Sequence, residues 1–176
     1  MKWIISIVLI VITLFASCGY SRSQQLANDD KVSSEILENL VTTLAKDDKE
    51  GLNSLFSEEV KNSCKTLAVD TDYLLSFFKG EIINYEENGQ EFIEENDYGK
   101  TIKKLVTSVD IETTDGKYSM FLVYYIQHDS KPDFEGLYAL RVIKSEDEEN
   151  GNLWGYYEDM ELPGVFNPKT GDGSVS

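Results

Sequence analysis

From Trp3 to Ala16 the chain is apolar at every position except Ser6 and Thr13. Gly19 to Asn28 then turns polar, with Ser, Gln and Arg, and reads as a flexible tether. Helical spacing follows. Val32, Ile36, Leu37, Leu40, Val41, Leu44 and Ala45 share one helical face, with Asp29-Asp30 as N-cap and an end near Lys46-Asp47. Asp48 caps a shorter helix carrying Leu52, Leu55 and Phe56. Ser57-Glu58-Glu59-Val60 opens another that runs to about Cys64. A further helix starts near Asp70 or Thr71, buries Leu74, Leu75, Phe77 and Phe78, and takes Gly80 as its C-cap.

Past Gly80 the period shortens to alternation. Glu81 to Glu86 is a first strand, and Asn88-Gly89 and Asp97 to Gly99 are turn signals. Ile102 to Glu112 is a long strand with Leu105, Thr107, Val109 and Ile111 on one face. Asp115-Gly116 predicts a tight hairpin into Tyr118 to Gln127. In that strand Met120, Leu122, Tyr124 and Ile126 oppose Phe121, Val123 and Tyr125, so it is apolar on both faces and belongs at the sheet centre. Asp129 to Phe134 is a loop, Glu135 to Lys144 a strand, and Ser145 to Asn152 a charged loop. Leu153 to Tyr157 is a last short strand, with Trp154 packed on the sheet, and the tail from Pro163 is loose. Helices first and antiparallel strands after them predict an α+β domain, N-terminal helices on a curved antiparallel sheet.

The apolar start has a chemical consequence. Lys2 precedes it, and its 14 residues suit a signal segment but fall short of the ~20 that span a bilayer. Ala16-Ser17-Cys18 resembles the lipobox of bacterial lipoproteins, with Phe15 and Leu14 where an aliphatic residue is usual. The resemblance implies removal of residues 1–17 and lipidation of Cys18. It implies a protein anchored by lipid to the outer face of the cell membrane. A single chain anchors only weakly, and a diacylglycerol on the cysteine sulfur meets that requirement. An uncleaved anchor or an ordinary secretory leader shares the apolar run but has no need of the cysteine.

Charge narrows the partners. The chain has 32 Asp and Glu against 16 Lys and Arg, a formal net charge of −16. Such a surface disfavours nucleic acid and anionic headgroups and attracts basic proteins or cations. Beyond Cys18 the one cysteine is Cys64, so no disulfide forms within the mature chain, and Cys64 reads as a small buried residue. Glu146-Asp147-Glu148-Glu149-Asn150-Gly151 lacks the ligand spacing of a calcium loop and reads as a solvated tip. No phosphate-cradling loop, nucleophile motif, metal cluster or cofactor signature is present in the sequence.

Two segments carry a family resemblance: Leu44-Ala45-Lys46-Asp47-Asp48-Lys49-Glu50-Gly51-Leu52-Asn53-Ser54-Leu55-Phe56-Ser57 and Phe77-Phe78-Lys79-Gly80-Glu81-Ile82-Ile83. With the lipobox they resemble Firmicute lipoproteins carrying a domain of unknown function, DUF5104, and more broadly the NTF2-like (cystatin-like) cones. The resemblance implies a division into residues 1–17 (signal peptide), 18–29 (lipidated cysteine and tether), 30–165 (NTF2-like domain) and 166–176 (flexible tail). It implies a site, if any, at the cone mouth. Tyr124, Tyr125, Tyr138 and Arg141 are the residues placed to line it, their hydroxyls and guanidinium suited to a polar or anionic ligand. Packing tyrosines and a paired arginine would look the same. His128, beside Asp129 and Asp133, is the lone histidine and the one candidate base, though a solvated histidine at a strand end is the plainer expectation.

Three roles follow. The first is a membrane-tethered, non-enzymatic binding or accessory domain with a small-molecule pocket. The second is a surface or immunity-like protein that holds a basic partner. The third is an isomerase or dehydratase. Dimerisation through the convex sheet face is common in NTF2-like domains, and no residue here decides it.

Overall fold

The computed structural model describes residues 27–150, 153 and 162–169. The leader, Cys18, residues 154–157 of the expected last strand with Trp154, and residues 170–176 lie outside the described residues, and Leu153, the expected start of that strand, is helical. The chain divides into two compact units, residues 1–39 and 40–176. Helix α1, residues 27–45, runs through that boundary. Within the first unit Asp29, Ser33 and Leu37 are buried, one helical turn apart. Asp29 therefore lies inside the helix and does not cap it; the helix is already formed at Ala27.

In the second unit local chemistry sets the short helices. Asp48 accepts a hydrogen bond from Gly51 N at 2.8 Å and caps α2, Lys49–Leu55. Ser57 accepts from Val60 N at 3.3 Å and caps α3, Glu58–Ser63. Helix α4 spans Leu67–Phe77 and starts three residues before the expected Asp70. Asp70 and Thr71 look like capping residues but sit on its buried face with Leu67, Leu74 and Leu75. Asn167 Nδ2 donates to Asp70 Oδ1 at 2.8 Å, and Thr71 Oγ1 donates to Asn53 Oδ1 at 3.0 Å. Gly80 does not cap the helix, which closes at Phe78. Its φ of +90° lets the chain pass the turn at Thr114-Asp115, where a Cβ would lie 2.7 Å from Asp115 N.

Five strands form one curved, unclosed sheet in the order β1-β2-β3-β4-β5. They are β1 Ile82–Asp97, β2 Lys100–Thr113, β3 Gly116–His128, β4 Gly136–Lys144 and β5 Gly164–Val165. The first four pair antiparallel in sequence order, and β5 pairs parallel to β4. The expected turn at Asn88-Gly89 is instead a bulge inside β1, between Glu87 and Gly89. The Thr107 hydroxyl lies 2.8 Å from both Glu87 Oε1 and the Gly89 carbonyl oxygen and ties the bulge to β2. The turn at 97–99 forms as expected: Tyr98 and Gly99 both have positive φ, +49° and +79°. The second hairpin turns on Thr114-Asp115, one residue earlier than expected, because Gly116 already pairs with Thr113.

One sheet face carries Leu105, Val109, Ile111, Tyr118, Met120, Leu122 and Leu140, all buried to 1% exposure or less. Phe77 of α4 and Phe78, its C-cap, meet this face at the Tyr118 ring, with centroids 5.7 and 4.6 Å away. On the second face Val106, Phe121, Val123 and Ala139 form a smaller buried cluster. Cover on both faces explains the two-sided apolar pattern of β3, the central strand. The loose tail expected from Pro163 is not what the structure shows up to Asn167. Pro163, Gly164, Val165 and Asn167 are buried, and Gly164 passes so close to buried Cys64 that a Cβ would lie 2.8 Å from its Sγ. Among the described residues no helix is long and apolar enough to cross a membrane.

Candidate functional site

The sheet separates the four expected pocket residues. Tyr124 pairs with Leu105 and Leu137 and lies on the helix-bearing face. Burial, and then the Glu135 carboxylate, raises its phenol above the ordinary tyrosine range. Tyr125 and Tyr138 lie on the second face, against the Val106–Phe121 cluster. Tyr125 follows the alternation of Phe121 and Val123, whereas a bulge puts Tyr138 there. Tyr138 is the extra residue between Leu137 and Ala139 in β4, and Ile126 is the extra residue before Gln127 in β3. Their rings meet edge to face at 5.3 Å, and Phe134 stacks on Tyr138 at 5.7 Å. Arg141 is buried on the same face but at a distinct spot. Its Nη1 donates to Leu153 O at 2.7 Å, and its guanidinium covers the Phe166 ring at 3.7 Å.

His128 is not solvated as expected. It is 8% exposed, with Tyr125 and Phe134 at ring distances of 5.8 and 5.3 Å. Its Nδ1 accepts from Lys131 N at 3.2 Å, so a backbone amide occupies the nitrogen that a partner carboxylate would orient. Asp129 is engaged elsewhere. Gln127 Nε2 donates to it at 2.8 Å and Thr101 N at 2.7 Å. The Gln127 bond first, and the Thr101 bond second, lower its carboxyl below the usual range. These contacts close the turn after β3 and assemble no His–Asp base.

A group of carboxylates meets at the other end of the sheet. A cleft of about 280 Å³ on the second face is lined by Glu86, Asp110, Glu112 and Glu148, with Asn84 and Lys117 at its side. Strand register brings three of the carboxylates there. Glu86 of β1 stands directly opposite Asp110 of β2, and Asn84 opposite Glu112. Glu148 arrives from the loop after β4. Its carboxylate accepts the hydroxyl of Ser119, which is also 3.0 Å from the Ser145 hydroxyl. The acidic loop is thus no free tip, because Glu148 returns to the sheet.

The balance of charge in the cleft is negative. Lys117 Nζ reaches Glu112 at 3.5 Å, and among the described residues no basic side chain comes within ion-pair distance of Glu86 or Asp110. Like charges directly opposite on adjacent strands are destabilising, so this arrangement costs stability where it stands. The carboxylates do not converge as a chelate: among the described residues no three His, Cys, Asp or Glu are placed to hold a metal ion. Their spread suits a spaced set of positive charges.

Sequence reasoning missed this cleft. Alternation along β2 does put Asp110 and Glu112 on one face. Glu86 could not be added while Asn88-Gly89 read as a turn, and Glu148 has no local signal. No curated protein matches the chain. A family model described as a domain of unknown function, DUF5104, matches residues 39–145, which take in α2 to α4 and strands β1 to β4. That match covers more than half of the sequence, and the chain belongs to the DUF5104 family.

Proposed function

We propose that this protein is a bacterial lipoprotein, held at the outer face of the membrane by lipid on Cys18, whose domain binds a basic protein partner without catalysis. The observation that carries the binding role is the meeting of Glu86, Asp110, Glu112 and Glu148 in one cleft opposed by Lys117. In a chain of net charge −16, these four carboxylates share one cleft. Such a cleft steers a positively charged partner and selects against acidic ones. The lipobox residues Ala16-Ser17-Cys18 support the address, and helices followed by a curved antiparallel sheet support an NTF2-like cone. A small-molecule role has one observation in its favour, the half-exposed Tyr125–Tyr138 pair on the second face.

Oligolysine is a direct probe of the cleft. Its affinity for the full chain should fall steeply between about 50 and 500 mM salt, as expected for partly exposed charges. Replacing Glu86→Gln together with Asp110→Asn should weaken binding by about tenfold at low salt. Equal binding by that variant, or binding indifferent to salt, removes the cleft from the account. The address has its own test. Cys18→Ala should lose incorporation of labelled palmitate and move the protein out of the membrane fraction. Retained label or retained attachment would overturn the lipoprotein assignment.

A further inference from the structure

β1 ends the sheet, and 12 of its 16 residues are exposed. Among the described residues no strand pairs with its outer edge. A row of exposed N–H and C=O groups is a template for another strand, and proteins blunt it with Pro, charged side chains, bulges or a short strand. β1 is long and contains neither Pro nor Lys, and between its bulges at Ile82–Asn84 and Glu87–Gly89 it keeps regular register from Asn84 to Glu87. Its charged residues are all acidic: Glu86, Glu87, Glu91, Glu94, Glu95 and Asp97. Two copies joined edge to edge would set these carboxylates beside one another, which opposes self-pairing.

We propose that the free edge of β1 receives an extended segment of the basic partner as a sixth strand, with basic and apolar residues alternating along it. The proposal rests on the basic-partner reading of the adjoining cleft. Register supplies the alternation. Asn84 and Glu86 lie on the cleft face, opposite Glu112 and Asp110. Tyr85 lies on the other face, opposite Ile111, and is 39% exposed. Ile83, beside it in the chain, is 64% exposed. An added strand sends successive side chains to opposite faces. Those over the cleft meet Glu86 and Asp110 and are Lys or Arg. Those on the other face cover Tyr85 and are apolar. Main-chain bonds supply affinity and the alternate side chains supply selectivity.

An alternating Lys-Val decapeptide, titrated into the full chain in detergent micelles, tests this. A second peptide of the same sequence, N-methylated at four consecutive central residues, keeps the charge and loses the donors on both edges. The first should bind, and the second should bind about tenfold more weakly or worse. Amide exchange across 82–91 should slow in the complex with the first peptide only. Equal binding of the two peptides overturns strand addition and leaves the acidic cleft as a charge-only site. Failure of both to bind at low salt overturns strand addition and the basic-partner reading together.

Discussion

Tyr118→Ala should destabilise the protein by about 3–5 kcal/mol. The Tyr118 ring is fully buried between β3 and the end of α4. Its hydroxyl accepts from Lys79 N and from Lys144 Nζ, both at 2.9 Å. Lys144 Nζ also stands 4.1 Å from the ring centroid. Removal of the side chain leaves a cavity in the helix-bearing face and strips the Lys79 amide of its acceptor. Tyr118→Phe separates the two effects and should cost about 1–2 kcal/mol, the hydrogen-bonding part alone. Equilibrium urea unfolding measures both: the midpoint should fall with the slope unchanged. An Ala variant as stable as the parent would mean that this face repacks and that Tyr118 is no anchor. The cleft depends on the same region, because Lys117 and Ser119 flank Tyr118 and line or support it.

The second large effect is at Gly136. Its φ is +127°, a region essentially reserved for glycine, and a Cβ there would lie 3.1 Å from Leu55 O, Ser57 Cα and Ser57 N. All three atoms are backbone. They belong to the α2–α3 junction, which is stitched to β4 by Ser57 N donating to Leu137 O at 3.0 Å. Any shift of the junction away from a Cβ lengthens that bond. Gly136→Ala should therefore cost about 1–3 kcal/mol from backbone conformation, with the contact added, and Gly136→Val more. Gly89→Ala is the internal control. A Cβ there meets nothing within 4 Å, so it should change stability by no more than about 0.5 kcal/mol. If both alanine variants melt alike, the close approach at Gly136 is not a constraint.

These two positions illustrate why the site was less legible than the fold. The caps Asp48 and Ser57 act within three residues, and the Leu105–Ile111 alternation needs only the strand itself. The cleft needs four segments brought together, and even Glu86 and Asp110 meet only through the pairing of two strands. The Tyr125–Tyr138 pair needed the β4 bulge, which moves Tyr138 to a face that strict alternation with Ala139 denies it. Asn88-Gly89 has the composition of a turn. It became a bulge because β2 continues past it as a pairing partner and Thr107 satisfies the groups it frees.

By itself the sequence determined the order of the elements, helices before strands, the caps of α2 and α3, the buried face of β2 and the central place of β3. Each follows from periodicity or from hydrogen bonds between near neighbours. Only the tertiary structure decided that Asp70 is a buried partner of Asn167, 97 residues away, and not a helix cap. It alone decided that Gly164-Val165 pairs with β4 and that Glu148 joins Glu86 and Asp110. A polar side chain looks the same at a helix start and on a buried face until its partner is known, and that partner is supplied by folding, from far along the chain.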